Sequence, residues 1–241
     1  MPEHESTHSG PLGRAGTERH ESVGTFAASR RGQVFANPVT GERAVLLTDP
    51  ETHPDRALVS HLFVRPGGRV AAPHVHPGAT ERFHVLAGRV GFQVGGKQSE
   101  LGAGRSCEVP PGTTHDWWQI GAEEAQILVE VTPGDRFTRV VATTFGLAAD
   151  GHVDARGLPH LLQAAVTLTA YRDTLVFTSP PPLVQRILFG GLAPLGRLLG
   201  KQPVYPEYLF SRTVVEPEPG ALALLDERGR LRRGAAIEGS A

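Results

Sequence analysis

Two histidines one residue apart, His74 and His76, are followed five positions later by a carboxylate, Glu81. Strand side chains repeat every second residue, so both imidazoles point to one face. Two imidazoles and a carboxylate on one face are the raw material of a divalent metal site. A fourth candidate ligand, His115, lies downstream in GRSCEVPPGTTHDWWQ. Neutral imidazoles with one carboxylate suit Fe(II), Mn(II), Ni(II), Co(II) or Zn(II), and leave positions open for water or substrate. This ligand set does not separate one metal from another.

Alternation extends the site. Counting from His115 puts Trp117 and Gln119 on the ligand face, with Asp116 and Trp118 outward. Counting from Glu81 adds Phe83 and Val85 to the ligand face. Phe83, Trp117 and Gln119 are therefore substrate-pocket candidates, although Phe83 and Trp117 fit a barrel core equally well. Gln126, Leu128 and Glu130 share one face of a later strand. Facing inward, Glu130 is a candidate base near the metal; facing outward, it is a solvated edge charge. His84 reads as outward, and Cys107 as a buried structural thiol. Periodicity does not decide which way His61 points.

These residues need strands to hold them. QVFANPVTGERAVLLT at 33–48 reads as a hairpin around NPVTG, and ALVSHLFV at 57–64 as a strand leading into the RPGG turn. ERFHVLAG and RVGFQVGG flank Ala87-Gly88, and KQSELGAG, SCEVPPG, HDWWQI and QILVEVTPG follow. Short strands at regular spacing, broken by Gly and Pro, predict an antiparallel barrel or sandwich. After Pro133 the pattern changes. Residues 161, 162, 165, 166 and 168 are apolar at helical spacing. Beyond Pro180-Pro181-Pro182, LVQRILFGGLAPLGRLLG predicts a second helix, weakened at Gly190-Gly191 and Pro194.

Composition sets outer bounds. The 241 residues carry 24 Lys+Arg against 25 Asp+Glu, which gives no electrostatic case for nucleic acid. One cysteine excludes an internal disulfide framework. No apolar run reaches the ~18 residues that span a bilayer, and MPEHESTHSGPLGRAG lacks a hydrophobic signal core. The second helix has only two arginines and one following lysine, with no basic face, which argues against a membrane surface. The expectation is a soluble cytoplasmic protein with no nucleic-acid or membrane partner.

The ligand spacings resemble those of the cupin superfamily. Its first motif, G-x5-H-x-H-x(3,4)-E-x6-G, is matched by Gly68, His74, His76, Glu81 and Gly88. Its second, G-x5-P-x-G-x2-H-x3-N, is matched by Gly104, Pro110, Gly112 and His115, with Gln119 in place of Asn. The chain also resembles a group of bacterial single-domain cupins with an NPxTGE hairpin before the barrel and helices after it. Those chains end in a GRLLG…P-x-Y-P-x-Y segment, here GRLLGKQPVYPEY.

The resemblance implies an all-β core, a jelly-roll antiparallel β-barrel, with two C-terminal α-helices. The expected organisation is a disordered tail at 1–22, the barrel at 23–144, a helical extension at 145–215 and a loose tail at 216–241. His74, His76, Glu81 and His115 would hold one divalent transition metal. Fe(II) is favoured, because cupins with this ligand set are often dioxygenases; Mn, Ni and Zn also fit. The partner would be a small organic substrate, with Glu81 and Glu130 as catalytic carboxylates. A non-redox isomerase, cyclase or lyase and a small-molecule sensing module are the alternatives. A homodimer is expected, with the 33–48 hairpin as the candidate for strand exchange.

Overall fold

A computed structural model describes residues 31–210 and 213–232 of the chain. The expected tail at 1–22, with His4, His8 and His20, lies outside the described residues, as do residues 233–241.

Ten strands come first: β1 Val34–Asn37, β2 Glu42–Leu46, β3 Leu58–Val64, β4 His74–Val75, β5 Thr80–Ala87, β6 Arg89–Val94, β7 Lys97–Gly102, β8 Ser106–Val109, β9 His115–Ile120 and β10 Ala125–Thr132. Three helices follow, α1 Asp135–Ala149, α2 Leu161–Ala170 and α3 Pro182–Leu198, with a short strand β11 Val176–Phe177 between α2 and α3. A last helical turn, α4, spans Pro219–Leu222. The strands form two antiparallel sheets, ordered β1-β2-β3-β10-β5-β8 and β11-β4-β9-β6-β7.

Alternation decides which faces meet. In β5, Glu81, Phe83 and Val85 are buried while Thr80, Arg82 and His84 are half-buried. Phe83 packs at a tilt against Phe92 of β6 across the interior, ring centroids 5.0 Å apart. The strands on either side of Ala87-Gly88 do not pair with each other. β5 lies between β10 and β8, and β6 between β9 and β7. Gly88 turns this corner at φ +73°, where an added Cβ would sit 2.9 Å from the Ala125 Cα. Trp118 lies flat over Gly91, at a distance that leaves no room for a side chain there. The 33–48 hairpin forms within its own sheet, with Val34 paired to Val45.

The helical region is larger than expected. It begins at Asp135, not at 145, and contains three long helices where two were read. The missed helix α1, DRFTRVVATTFGLAA, is rich in Thr and Val, whose stiff side chains favour strands. Tertiary packing outweighs that preference: Val140 and Ala142 are buried in the main core, and Gly146 lies against the Tyr208 ring. α3 runs unbroken through Gly190-Gly191 and Pro194. Its Gly196 sits against Val166 and the Leu162 carbonyl of α2, a contact that holds the helix where its sequence is weak.

The 216–241 tail is not loose where it is described. Ala221 and Leu231 are buried with Leu47, Val59 and Leu128 in a second apolar cluster on the outer face of the larger sheet. His61 faces this outer side as well, 1% exposed, with its ring 4.1 Å from that of Phe63.

Candidate metal centre

His74 lies on β4, His76 just after it, Glu81 on β5 and His115 on β9. The four come from both sheets, and their ligand atoms lie within 4.8 Å of one another. His74 pairs directly with His115 across the β4–β9 ladder. The Pro110–Gly112 turn clamps the histidine segment: the Gly112 N–H, at φ +75°, donates to the His76 carbonyl at 2.9 Å. All four side chains are buried.

The proton positions follow from the hydrogen bonds. His74 Nδ1 donates to the Ala72 carbonyl at 2.9 Å, His76 Nδ1 to that of Thr174 at 2.9 Å, and His115 Nδ1 to that of Thr113 at 3.1 Å. A proton held on each Nδ1 leaves each Nε2 as a lone pair, the form in which imidazole binds metal. His76 Nε2 and His115 Nε2 stand 3.4 and 2.7 Å from Glu81 Oε2. Yet these three atoms are buried without a hydrogen-bond partner among the described residues. Lone pairs facing a carboxylate oxygen at this range repel one another unless a cation lies between them. A divalent ion held by all four residues satisfies every one of these orphaned atoms.

Electrostatics prepares the same state at His74 and Glu81. Burial, then the neighbouring His115 and His76, pushes the His74 imidazole down to about 3. Burial opposes ionisation of Glu81, but the neighbouring His115 and His76 hold its carboxyl well below the usual range. Burial likewise disfavours protonated His115, but Glu81 more than reverses this and raises it above the ordinary imidazole value, so a bound cation has to displace the proton that Glu81 favours there. A neutral ring at His74 and an ionised carboxylate are what a divalent cation requires.

A cavity of about 450 Å³ opens from His74 and Glu81. Phe83 and Trp117 line it, as the alternation predicts, and so do Val129 and Val131 of β10. The same alternation therefore turns Glu130 out of the cavity, where it cannot serve as a base. It is not a solvated edge charge either, being 1% exposed. The tail covers it: Arg230 Nη2 and Arg82 Nη2 donate to its Oε1 at 2.6 and 2.9 Å, and the Leu231 N–H to its Oε2 at 2.7 Å. Gln119 is buried but is not a cavity residue. It accepts from the Gly67 N–H at 2.8 Å and donates to the Glu123 carbonyl at 2.6 Å, tying two loops together. His84 is on the outer side, with Nδ1 2.9 Å from Ser106 Oγ. Cys107 is half-buried, and burial raises its thiol to about 11, which makes it a poor nucleophile.

The sequence reading missed Glu42. It opens β2, is buried and lines the cavity with Glu81. Thr40 Oγ1 donates to its Oε2 at 2.6 Å. Burial pushes its carboxyl up to about 7, with the Thr40 hydrogen bond opposing and the Glu81 charge reinforcing. The signal was present in alternation back from Leu46 through Ala44. The cavity wall supplied by the helical region was also missed. β11 pairs with β4, placing Phe177 opposite His74, and the Phe137 ring of α1 meets the His76 ring edge-on at 4.7 Å.

Residues 60–131 match the family model described as a cupin domain. The chain is 27% identical over 93 residues to a protein named polyketide synthase CurC of Streptomyces cyaneus, covering 39% of this chain and 60% of that one. It is 34% identical over 111 residues to germin-like protein 3-8 of Oryza sativa subsp. japonica, covering 44% and 48%. The chain thus spans roughly half the length of these curated relatives. Among solved structures, it is similar to a predicted oxalate decarboxylase from Thermotoga maritima, at 25% identity and a TM-score of 0.36, covering 38% of this chain and 79% of that one.

Proposed function

The chain belongs to the cupin superfamily, and from that premise we propose that it is a metal-dependent enzyme for a small, largely apolar organic molecule bearing metal-binding oxygens. The observation that carries this reading is the set of orphaned Nε2 and Oε2 atoms at the head of an aromatic-walled cavity. His74, His76, Glu81 and His115 would hold the ion. A divalent ion there supplies Lewis acidity to a substrate oxygen and, as Fe(II), electrons for O2. Phe83, Trp117 and Phe137 exclude water from the reacting end. The favoured chemistry is dioxygenase-type oxidation with Fe(II). The apolar walls suit an oxygenated carbon skeleton of the kind a polyketide presents, in keeping with the similarity to CurC.

Glu42 favours a second, non-redox reading. A carboxyl pushed up to about 7 can give or take a proton at neutral pH, which isomerisation, cyclisation or decarboxylation requires. Glu42 would hold that proton on Oε1 while Thr40 steadies Oε2.

The test is elemental analysis of the purified protein, followed by turnover assays with aromatic and polyketide-like substrates under air and under nitrogen. O2 uptake with Fe(II) supports oxidation. Unchanged turnover without O2 moves the assignment to proton transfer. A protein that retains no transition metal at all overturns both.

A further inference from the structure

The outward face of α3 carries most of the exposed large apolar side chains of the described residues. On its buried side, Gly196 packs on α2 and Gln185 donates to the Phe177 and Pro180 carbonyls; Ala193 is buried between them. At 3.6 residues per turn, Leu183, Ile187, Pro194 and Leu198 fall on the opposite side. Leu183, Ile187 and Leu198 are 68%, 70% and 84% exposed, and Leu195 and Leu199 beside them 47% and 60%. A patch this continuous marks an interaction surface. No helix of the described residues is long and apolar enough to cross a membrane, so α3 is not a span.

Charge selects the occupant. From Thr174 to Pro206 there is no Asp or Glu, while Arg186, Arg197 and Lys201 are all exposed. Arg186 and Arg197 lie together on one shoulder of the apolar face. Eleven residues of spacing put both arginines on one side of any α-helix; packing on α2 sets that side beside the exposed apolar face. Two-fold antiparallel packing of α3 on a second copy would put both copies' arginine shoulders on the same rim, where they repel. An anionic lipid surface accepts the leucines and the arginines together.

We infer that α3 docks the protein on an anionic bilayer surface. The position of the cavity gives this docking a use. Leu161 and Leu188, 55% and 40% exposed, line the cavity as well, so its opening is continuous with the apolar face. Docking on α3 places that opening against the lipid, where a substrate dissolved in the bilayer can enter without crossing water. This inference does not depend on which metal, if any, the site holds.

The experiment is vesicle flotation of the full chain. Phosphatidylcholine vesicles are compared with an equal mixture of phosphatidylcholine and phosphatidylglycerol, at low and high salt. Binding is expected on the anionic vesicles only and weakens with salt. Arg186→Gln with Arg197→Gln lowers partitioning roughly twenty-five-fold, at fivefold per arginine. Ile187→Glu with Leu198→Glu abolishes binding; both sites are solvent-facing, and an unchanged circular dichroism spectrum confirms the fold. Failure to bind anionic vesicles overturns the proposal, as does binding that both double variants retain. Light scattering that shows a dimer dissolved by Ile187→Glu with Leu198→Glu also overturns it, and assigns the face to a second copy.

Discussion

At the residue scale, the centre works because each imidazole has one nitrogen tied to a main-chain carbonyl and the other free. Two of those carbonyls, Ala72 and Thr113, stand two residues from the histidine they orient; the third, Thr174, is 98 residues from His76. Glu81→Gln removes the only anion among the four ligands. It is expected to eliminate bound metal in elemental analysis while the far-ultraviolet spectrum stays unchanged. Glu42 makes a pH prediction. Its carboxyl rises from 4.5 unfolded to about 7 folded, so the folded state binds the extra proton between those values. The stability it contributes is full below pH 4.5 and is lost as pH rises through 7. The shift corresponds to about 3 kcal/mol. In the metal-free protein, Glu42→Gln should flatten the fall in melting temperature across that window; an unchanged slope would place the titration elsewhere. A cation held at Glu81 would cancel the part of the shift that the Glu81 charge supplies.

At the element scale, β10 illustrates what alternation can and cannot decide. It correctly separates Ile127, Val129 and Val131 from Gln126, Leu128 and Glu130. It does not say which set meets the cavity, because both are buried, one by the opposite sheet and one by the tail. Glu130→Ala would leave Arg82 Nη2 and the Leu231 N–H without their acceptor. The expected cost is about 2–4 kcal/mol, toward the low end because Arg230 reaches solvent. Denaturant unfolding measures it, and metal content should not change. Retained stability with lost turnover would instead return Glu130 to the chemistry. Gly91→Ala tests the other sheet: its Cβ would overlap the Trp118 ring. About 1–3 kcal/mol of destabilisation is expected as Trp118 is displaced.

At the scale of the whole molecule, the helical region is part of the site rather than an appendage. It supplies the carbonyl that orients His76, the strand beside His74 and one wall of the cavity. Removing residues 135–241 should therefore cost metal affinity about 10–100-fold through loss of the Thr174 partner. The truncated barrel should also bind a hydrophobic dye at its opened core. Isothermal titration with Zn(II) and dye fluorescence read the two effects separately. A truncated barrel with unchanged affinity would reduce the extension to a separate module.

The ligands were legible in the chain because the centre is built from short-range spacing. His74, His76 and Glu81 fall within eight residues; strand periodicity fixes the common face of the two histidines, and the bend at 77–78 carries Glu81 onto the other sheet. Phe83 and Trp117 follow from the same rule. The barrel was legible because turn glycines and prolines punctuate it at regular intervals. Glu130, Gln119, α1 and the tail were not, because each depends on what is packed against it from far along the chain. Burial is decided by the second surface, and periodicity describes only the first. Long-range packing alone makes Glu130 an anchor for Arg230, brings Thr174 to His76, and leaves the leucines of α3 facing outward.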